Sequence, residues 1–299
     1  MKIIELNHIT KDYGDGKGVF DISFSVEKGE VLGFLGPNGA GKTTTIRHLM
    51  GFSHPDKGSC SIDGLNCTTE SAEIQKKLGY LPGEIAFMDD ITGMEFIKFV
   101  GSMKGMKDYS RAEALIKKFE LNPKGRIKKM SKGMKQKIGI VCAFMAEPEI
   151  LILDEPTSGL DPLMQNKFVE LILEEKAKGT TILMSSHMFE EIERTCDRAA
   201  IIKSGKIVAV ENISTLKESR CKTYMITLET PQMAETFSEE PSISDKVTKV
   251  ENNLVTLSIQ GDIMPFIETM TRYKVVSLNI ATLSLEELFM HYYGGAKND

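Results

Sequence analysis

Residues 36–44 read Gly36-Pro37-Asn38-Gly39-Ala40-Gly41-Lys42-Thr43-Thr44 and match the pattern G-x-x-x-x-G-K-[ST] at every position. No other stretch constrains the fold as tightly, because each residue has a mechanical task. Glycines let successive backbone N–H groups turn inward around a phosphate, where a Cβ would block the approach. Lys42 can reach β- and γ-phosphate oxygens, and the Thr43 hydroxyl can join the ligand shell of a Mg²⁺ ion. The flanks carry the right periodicities. Val31-Leu32-Gly33-Phe34-Leu35 reads as a short buried strand, and Lys42 to Met50 as a helix whose N-terminus faces the phosphates. Strand, loop and helix together predict a nucleoside triphosphate site.

Composition narrows the class. A chain of 299 residues suffices for one large domain or two ordinary ones, and 41% hydrophobic with 26% charged residues is globular usage. A net charge of −5 argues against nucleic acid as the main partner. The basic runs Arg126 to Lys129 and Lys132 to Lys137 are broken by apolar residues and read as solvated helix faces. Cys60, Cys67, Cys142, Cys196 and Cys221 show no metal-ligand or C-x-x-C spacing, as expected of reduced cytoplasmic thiols. No signal-peptide pattern precedes the first strand-like stretch. The longest uncharged apolar run, Ile138 to Ala146, falls well short of the roughly 18 residues that span a bilayer. Any membrane spans are expected from another polypeptide.

Along the chain, alternation predicts strands at Ile3 to Ile9 and Val19 to Val26 around the turn Gly14-Asp15-Gly16, then at Ser59 to Ile62. Residues 92–146 read mainly as helices, with apolar stripes Phe96, Val100, Met103 and Leu115, Ile116, Phe119. A buried strand at Ile150 to Leu153 leads to a helix from Leu163 to Lys178. Thr180 to Ser185 is a further strand, and Ala199 to Lys203 pairs with Ile207 to Val210 across Ser204-Gly205. This alternation implies an α/β architecture around a largely parallel sheet. Beyond residue 219 the order becomes β-α-β-β-α-β, followed by an amphipathic segment at Leu283 to Tyr292, which suits a small ferredoxin-like α+β domain.

The second chemical signal is Ile150-Leu151-Ile152-Leu153-Asp154-Glu155, an apolar strand ending in two carboxylates. A strand buried on both faces can hold Asp154 beside the phosphate loop as a Mg²⁺ ligand. Glu155 is then placed to polarise a water for in-line attack on the γ-phosphate.

With these residues the chain resembles the ATPase subunits of ABC transporters, and further segments fit in the family's order. Tyr13 stands where such proteins stack an aromatic ring on adenine. Met130-Ser131-Lys132-Gly133-Met134 occupies the place of the L-S-G-G-Q signature, Ser158-Gly159-Leu160-Asp161 resembles the D-loop, and His187 resembles the switch histidine. The resemblance implies ATP and Mg²⁺, with Lys42, Glu155 and His187 in catalysis. It implies nucleotide contacts from Tyr13, from Gly36 through Thr44, and from Asp161. It also implies that Ser131 and Gly133 bind the γ-phosphate held by a second ATPase subunit, so that ATP is clamped between two nucleotide domains. Membrane-spanning permease subunits are the other implied partners, with the chain peripheral on the cytoplasmic face of the membrane. The expected fold is a P-loop NTPase of the ABC ATPase kind over residues 1–218, with an N-terminal β subdomain and a helical signature subdomain at 85–146. A small α+β domain is expected over 219–299.

Two positions depart from the family pattern. Lys132 and Met134 replace Gly and Gln of the signature; Lys132 either adds a cation near the triphosphate or reaches solvent, and its place at a helix start favours solvent. In Tyr80-Leu81-Pro82-Gly83-Glu84 the family's glutamine is replaced by Gly83, which leaves Glu84 as a candidate metal ligand or the contact absent. The Met- and Phe-rich stretch from Ile85 to Met106 reads either as a groove for coupling helices of the membrane subunits or as helical core. Ser284 to Phe289 resembles the tail of bacitracin-type drug and peptide exporters, which favours export. An importer ATPase with a C-terminal sensor domain, or a soluble non-transport ABC ATPase, remain the alternatives.

Overall fold

A computed structural model describes residues 1–88, 90–218, 222–259 and 262–282. Cys221 and the segment Leu283 to Tyr292 lie outside these residues. The chain divides into two compact units, Met1–Ile213 and Ser214–Asp299.

The first unit opens with β1 (Lys2–Asp12) and β2 (Gly18–Glu27), an antiparallel pair whose inward residues Ile4, Leu6, Ile9, Ile22 and Val26 are buried. Next come β3 (Val31–Leu35), α1 (Lys42–Leu49), β4 (Lys57–Ile62), β5 (Leu65–Asn66), α2 (Ser71–Lys77) and β6 (Leu78–Leu81). A helical stretch holds α3 (Gly93–Met103), α4 (Ser110–Lys118) and α5 (Lys132–Phe144). It is followed by β7 (Ile150–Asp154), α6 (Pro162–Ala177), β8 (Thr181–Ser186), α7 (Phe189–Thr195), β9 (Arg198–Lys203) and β10 (Lys206–Asn212), and α8 (Ile213–Glu218) begins at the unit's last residue.

Two sheets organise this unit. One has the order β2-β1-β4-β5; the other is β10-β9-β3-β8-β7-β6, parallel except for β10 at its edge. Strands β3, β7 and β8 are buried at every residue, which explains their mostly apolar sequences, broken by Asp154 at the end of β7 and by Thr181, Ser185 and Ser186 of β8. Because β3, β7 and β8 are neighbours, the loops leaving their C-terminal ends converge on one sheet edge, where open α/β sheets bind ligands.

The sequence reading misses β5, α2, β6 and α7. Strand β6 contains Gly79, which reads as a breaker; its role is steric, since a Cβ there would stand 2.1 Å from the Ala143 carbonyl oxygen. Helix α3 forms over the stripe read from the sequence. Its core-facing residues are Gly93, Ile97 and Gly101, whereas Phe96, Val100 and Met103 line an open groove of about 960 Å³. Helix α3 starts where it does because Thr92 and Glu95 form a reciprocal capping box.

The second unit holds β11 (Lys222–Leu228), α9 (Pro231–Ser238), β12 (Val247–Glu251), β13 (Leu254–Ile259), α10 (Met264–Met270) and β14 (Val275–Thr282). Its antiparallel sheet has the order β12-β13-β11-β14, the arrangement expected of a ferredoxin-like β-α-β-β-α-β chain. Tyr224, Ile226, Phe237, Val255, Leu257 and Phe266 form its core.

Candidate active site

The phosphate loop follows β3 and is pinned by its neighbours. Gly36 N–H donates to Ser186 O at 3.2 Å, and Gly205 N–H to Ala40 O at 2.9 Å. At Gly36 a Cβ would stand 2.5 Å from Ile202 O. Gly41, the residue before α1, has φ 111° and no room for a side chain, since its Cβ would meet Val19 Cγ1 at 2.7 Å. It therefore caps α1 without any side-chain acceptor, and the first N–H groups of the helix face outward as an anion site.

Lys42 is 5% exposed, and its ammonium is held centrally. It donates to Gly36 O at 2.6 Å and Pro37 O at 3.2 Å. It also lies 2.9 Å from Glu155 Oε1, an ion pair by distance whose angle is not that of a hydrogen bond.

Asp154 ends β7 and is fully buried. The Ser185 hydroxyl donates to its Oδ1 at 2.5 Å, while Oδ2 has no partner among the described residues. Gly83 approaches that free oxygen so closely that a Cβ would lie 3.1 Å from it. Glu155, the next residue, turns into the left-handed region at φ 48°, an uncommon conformation for a side chain of its size. Its N–H donates to Ser185 Oγ at 3.0 Å. The turn aims the carboxylate back over the loop, with Oε1 toward Lys42 and Oε2 2.6 Å from His187 Nδ1. One carboxylate thus bridges the phosphate-loop lysine and the histidine beyond β8.

Asn38, Thr43, Glu84, Glu155 and His187 line one cleft of about 450 Å³. Thr43, Glu84 and Asp154 meet in the lining of the larger groove beside it. Among the described residues no group of three or more His, Cys, Asp or Glu is gathered to hold a metal. A divalent cation here would draw most of its ligands from phosphate and water, the usual habit of Mg²⁺. The buried, unpartnered Asp154 Oδ2 fits such an ion.

Several other residues singled out in the sequence lie elsewhere. Tyr13 is exposed between β1 and β2, with Lys11 Nζ 5.9 Å from its ring centroid. Ser131 caps α5 by accepting Met134 N–H at 3.2 Å, and Asp161 caps α6 by accepting Met164 N–H at 3.0 Å. Gly133 packs under the loop after β7, where a Cβ would stand 2.6 Å from Gly159 O. Neither Ser131, Gly133 nor Asp161 lines the cleft. Lys132 is exposed, as its place at a helix start predicts, and it also lines the cleft beside Glu155 and His187. Its stem lies against Gly159 and its ammonium donates to Ser158 Oγ at 2.9 Å, so it ties α5 to that loop.

Three residues in contact with the site escaped the sequence reading: Ser185, Gln136 and Glu191. Ser185 is signalled only by standing two residues before His187. Glu191, on α7, is 5% exposed; Ser186 Oγ donates to its Oε2 at 2.6 Å, and Oε1 has no hydrogen-bond partner among the described residues. Burial pushes its carboxyl from the ordinary 4.5 up to about 7, against the pull of the Ser186 and Thr157 hydroxyls.

A phosphate loop at the C-terminal edge of a parallel sheet, faced by a strand-end carboxylate pair, defines a P-loop nucleotide-hydrolysing protein. The comparisons carry this further. The ABC transporter family model matches residues 19–158. The chain is 30% identical to an uncharacterised ABC transporter ATP-binding protein, YhcH of Bacillus subtilis, over 99% of this chain and 98% of the relative. It is 35% identical to a Nod factor export ATP-binding protein I of Burkholderia lata, over 83% of each chain. A solved ATP-binding subunit of an ABC transporter superposes with a TM-score of 0.65 at 32% identity, covering 72% of this chain and 92% of that one. The chain belongs to the ATP-binding subunits of ABC transporters, and it is an ATP-hydrolysing enzyme of that family. No helix among the described residues is long and apolar enough to cross a membrane.

Proposed function

We propose that this chain powers an exporter, hydrolysing ATP as one of a pair of ATPase subunits on the cytoplasmic face of the membrane, with separate permease subunits carrying a drug, peptide or similar substrate. The observation that carries the hydrolytic reading is the Glu155 carboxylate, suspended between Lys42 and His187 at the mouth of the phosphate loop. Export is supported by a relative named for that direction.

The residues divide the work. N–H groups from Gly36 to Thr44 and the Lys42 ammonium hold the β- and γ-phosphates, and Tyr13 stacks on the base. Glu155 takes up the proton of the attacking water as its oxygen bonds to the γ-phosphorus and the bond to the bridging oxygen breaks, releasing ADP and phosphate. His187 holds the Glu155 carboxylate in place and contacts the γ-phosphate. Thr43 and Asp154 would hold Mg²⁺, with Glu84 within the same groove; the ion would neutralise phosphate charge. Ser131 and Gly133 serve the γ-phosphate of a second subunit, and Asp161 faces that subunit. The groove lined by Phe96, Val100 and Met103 receives a helix of the permease.

Glu155→Gln is the test. Hydrolysis should fall at least about a hundredfold, while ATP binding persists and ATP-bound dimers accumulate on size-exclusion chromatography. Turnover at the wild-type rate would refute the assignment. Purification of the native membrane complex, with mass spectrometry of its subunits and cargo, checks the exporter reading.

A further inference from the structure

Glu155 needs help to stay where it is. Its backbone sits in the left-handed region, a strained conformation for a non-glycine residue that surrounding contacts must hold. One restraint is Ser185 Oγ, which accepts the Glu155 N–H. The other comes from α5. Gln136, 4% exposed, sends its side-chain amide into the loop after β7, where Nε2 lies 2.8 Å from Pro156 O and 3.4 Å from Glu155 O. Two carbonyl oxygens can be satisfied only by the NH₂ end of the amide, so the orientation of Gln136 is dictated by its neighbours.

We infer that Gln136 is a positioning residue for hydrolysis: its amide clamps the Glu155–Pro156 peptide and so keeps the Glu155 carboxylate aimed at Lys42 and His187. Gln136 lines the cleft, and its amide nitrogen is taken up by the two carbonyl oxygens. It acts through the backbone of Glu155, and this inference rests on the hydrolytic role proposed for Glu155. The clamp has a mechanical consequence. Gln136 and Ser131 share α5, and Lys132 of the same helix holds Ser158, so the loop bearing Glu155 is fastened to the helix start that bears the signature motif. Displacement of that helix start would reach the carboxylate through two side chains.

The test uses the full-length protein with two substitutions of near-constant shape. Gln136→Met removes the donor and adds no polar atom. Gln136→Glu keeps the outline but turns an acceptor toward two carbonyl oxygens. Initial rates over a range of ATP concentrations, a fluorescent-nucleotide binding titration and a thermal melt are measured for each. Gln136→Met should lower kcat at least tenfold and Gln136→Glu further, with KM and nucleotide affinity within twofold of wild type. A role confined to packing would instead lower melting temperature without splitting kcat from KM. If both variants prove unfolded, Gln136→Asn, whose amide falls one methylene short, should show the same split.

Wild-type kcat in a folded Gln136→Met or Gln136→Glu protein overturns the inference. Glu155→Gln is run alongside. If that variant hydrolyses ATP normally, the reading of Glu155 has failed; if it is inactive while the Gln136 variants are normal, the clamp alone has failed.

Discussion

In the unit Met1–Ile213, the charged side chains of Glu30, Lys42, Asp154, Glu175 and Glu191 are all less than a tenth exposed. In the described part of Ser214–Asp299 no charged side chain is buried to that degree, and the Thr269 hydroxyl is the buried polar group outside its tyrosines. The buried side-chain atoms without hydrogen-bond partners, Asp154 Oδ2 and Glu191 Oε1 among them, also fall in the first unit. Burying charge opposes folding, so it persists where it is paired, as Glu30 is with Arg198 and Glu175 with Arg111, or where chemistry needs it. The described part of the second unit is held by ordinary apolar packing, and nothing buried among its described residues resembles a reaction centre. Substitutions in the two units should therefore fail in different ways.

The largest expected effect lies in the second unit. Phe237 is fully buried, 5.1 Å from the Tyr273 ring and packed within the α9–sheet core. Phe237→Ala should lose roughly 3–5 kcal/mol there, enough to unfold a marginal unit. Calorimetry should show a low-temperature transition split from the main one. ATP binding, measured below the main transition, should remain, and its loss together with the second unit would break the comparison.

A smaller, pH-dependent effect belongs to the first unit. Burial raises the Glu191 carboxyl from 4.5 to about 7, so between these values the folded chain holds a proton that the unfolded chain has released. Stability from this group is fully present below about 4.5, declines as pH rises, and is lost above about 7. Glu191→Gln, neutral at every pH, escapes the decline. Relative to wild type it should gain roughly 2–3 kcal/mol between pH 5 and pH 8 in urea unfolding. A difference independent of pH would mean that Glu191 is ionised in the fold throughout.

These two residues also mark what could be read without a structure. Apolar runs and the phosphate-loop pattern carry the sheet, because buried strands and a loop around phosphate demand particular residue types locally. Phe237 belongs to that legible class, standing in a helix announced by Thr230 and Pro231. Glu191 does not, since nothing in Phe189-Glu190-Glu191-Ile192 says which of two adjacent carboxylates turns inward. The left-handed turn at Glu155 is equally silent, because a positive φ at a non-glycine residue is set by Ser185 and Gln136, distant in sequence. Lys132 is exposed as its place at a helix start predicts, but its partner Ser158 lies on a loop that local propensity cannot bring to it. Chemical type was legible, and the direction of side chains set by tertiary contacts was not.

The smallest effect tests the second unit's polar group. Thr269 is 1% exposed; its hydroxyl donates to Pro265 O at 2.7 Å within α10 and lies 2.7 Å from Ser242 Oγ. Thr269→Val keeps the shape and removes the hydroxyl. No charge depends on that group, and Ser242 is exposed enough to exchange its lost partner for water. The loss should be about 1 kcal/mol, the net worth of a neutral hydrogen bond. It should show as a small shift of the second unit's transition, with hydrolysis unchanged. The Ser185 hydroxyl in the first unit holds a buried carboxylate and the N–H of Glu155 together, so its chemistry is the same but its load is different. If Thr269→Val altered ATP turnover, the second unit would be part of the catalytic apparatus, and the contrast drawn from buried charge would fail.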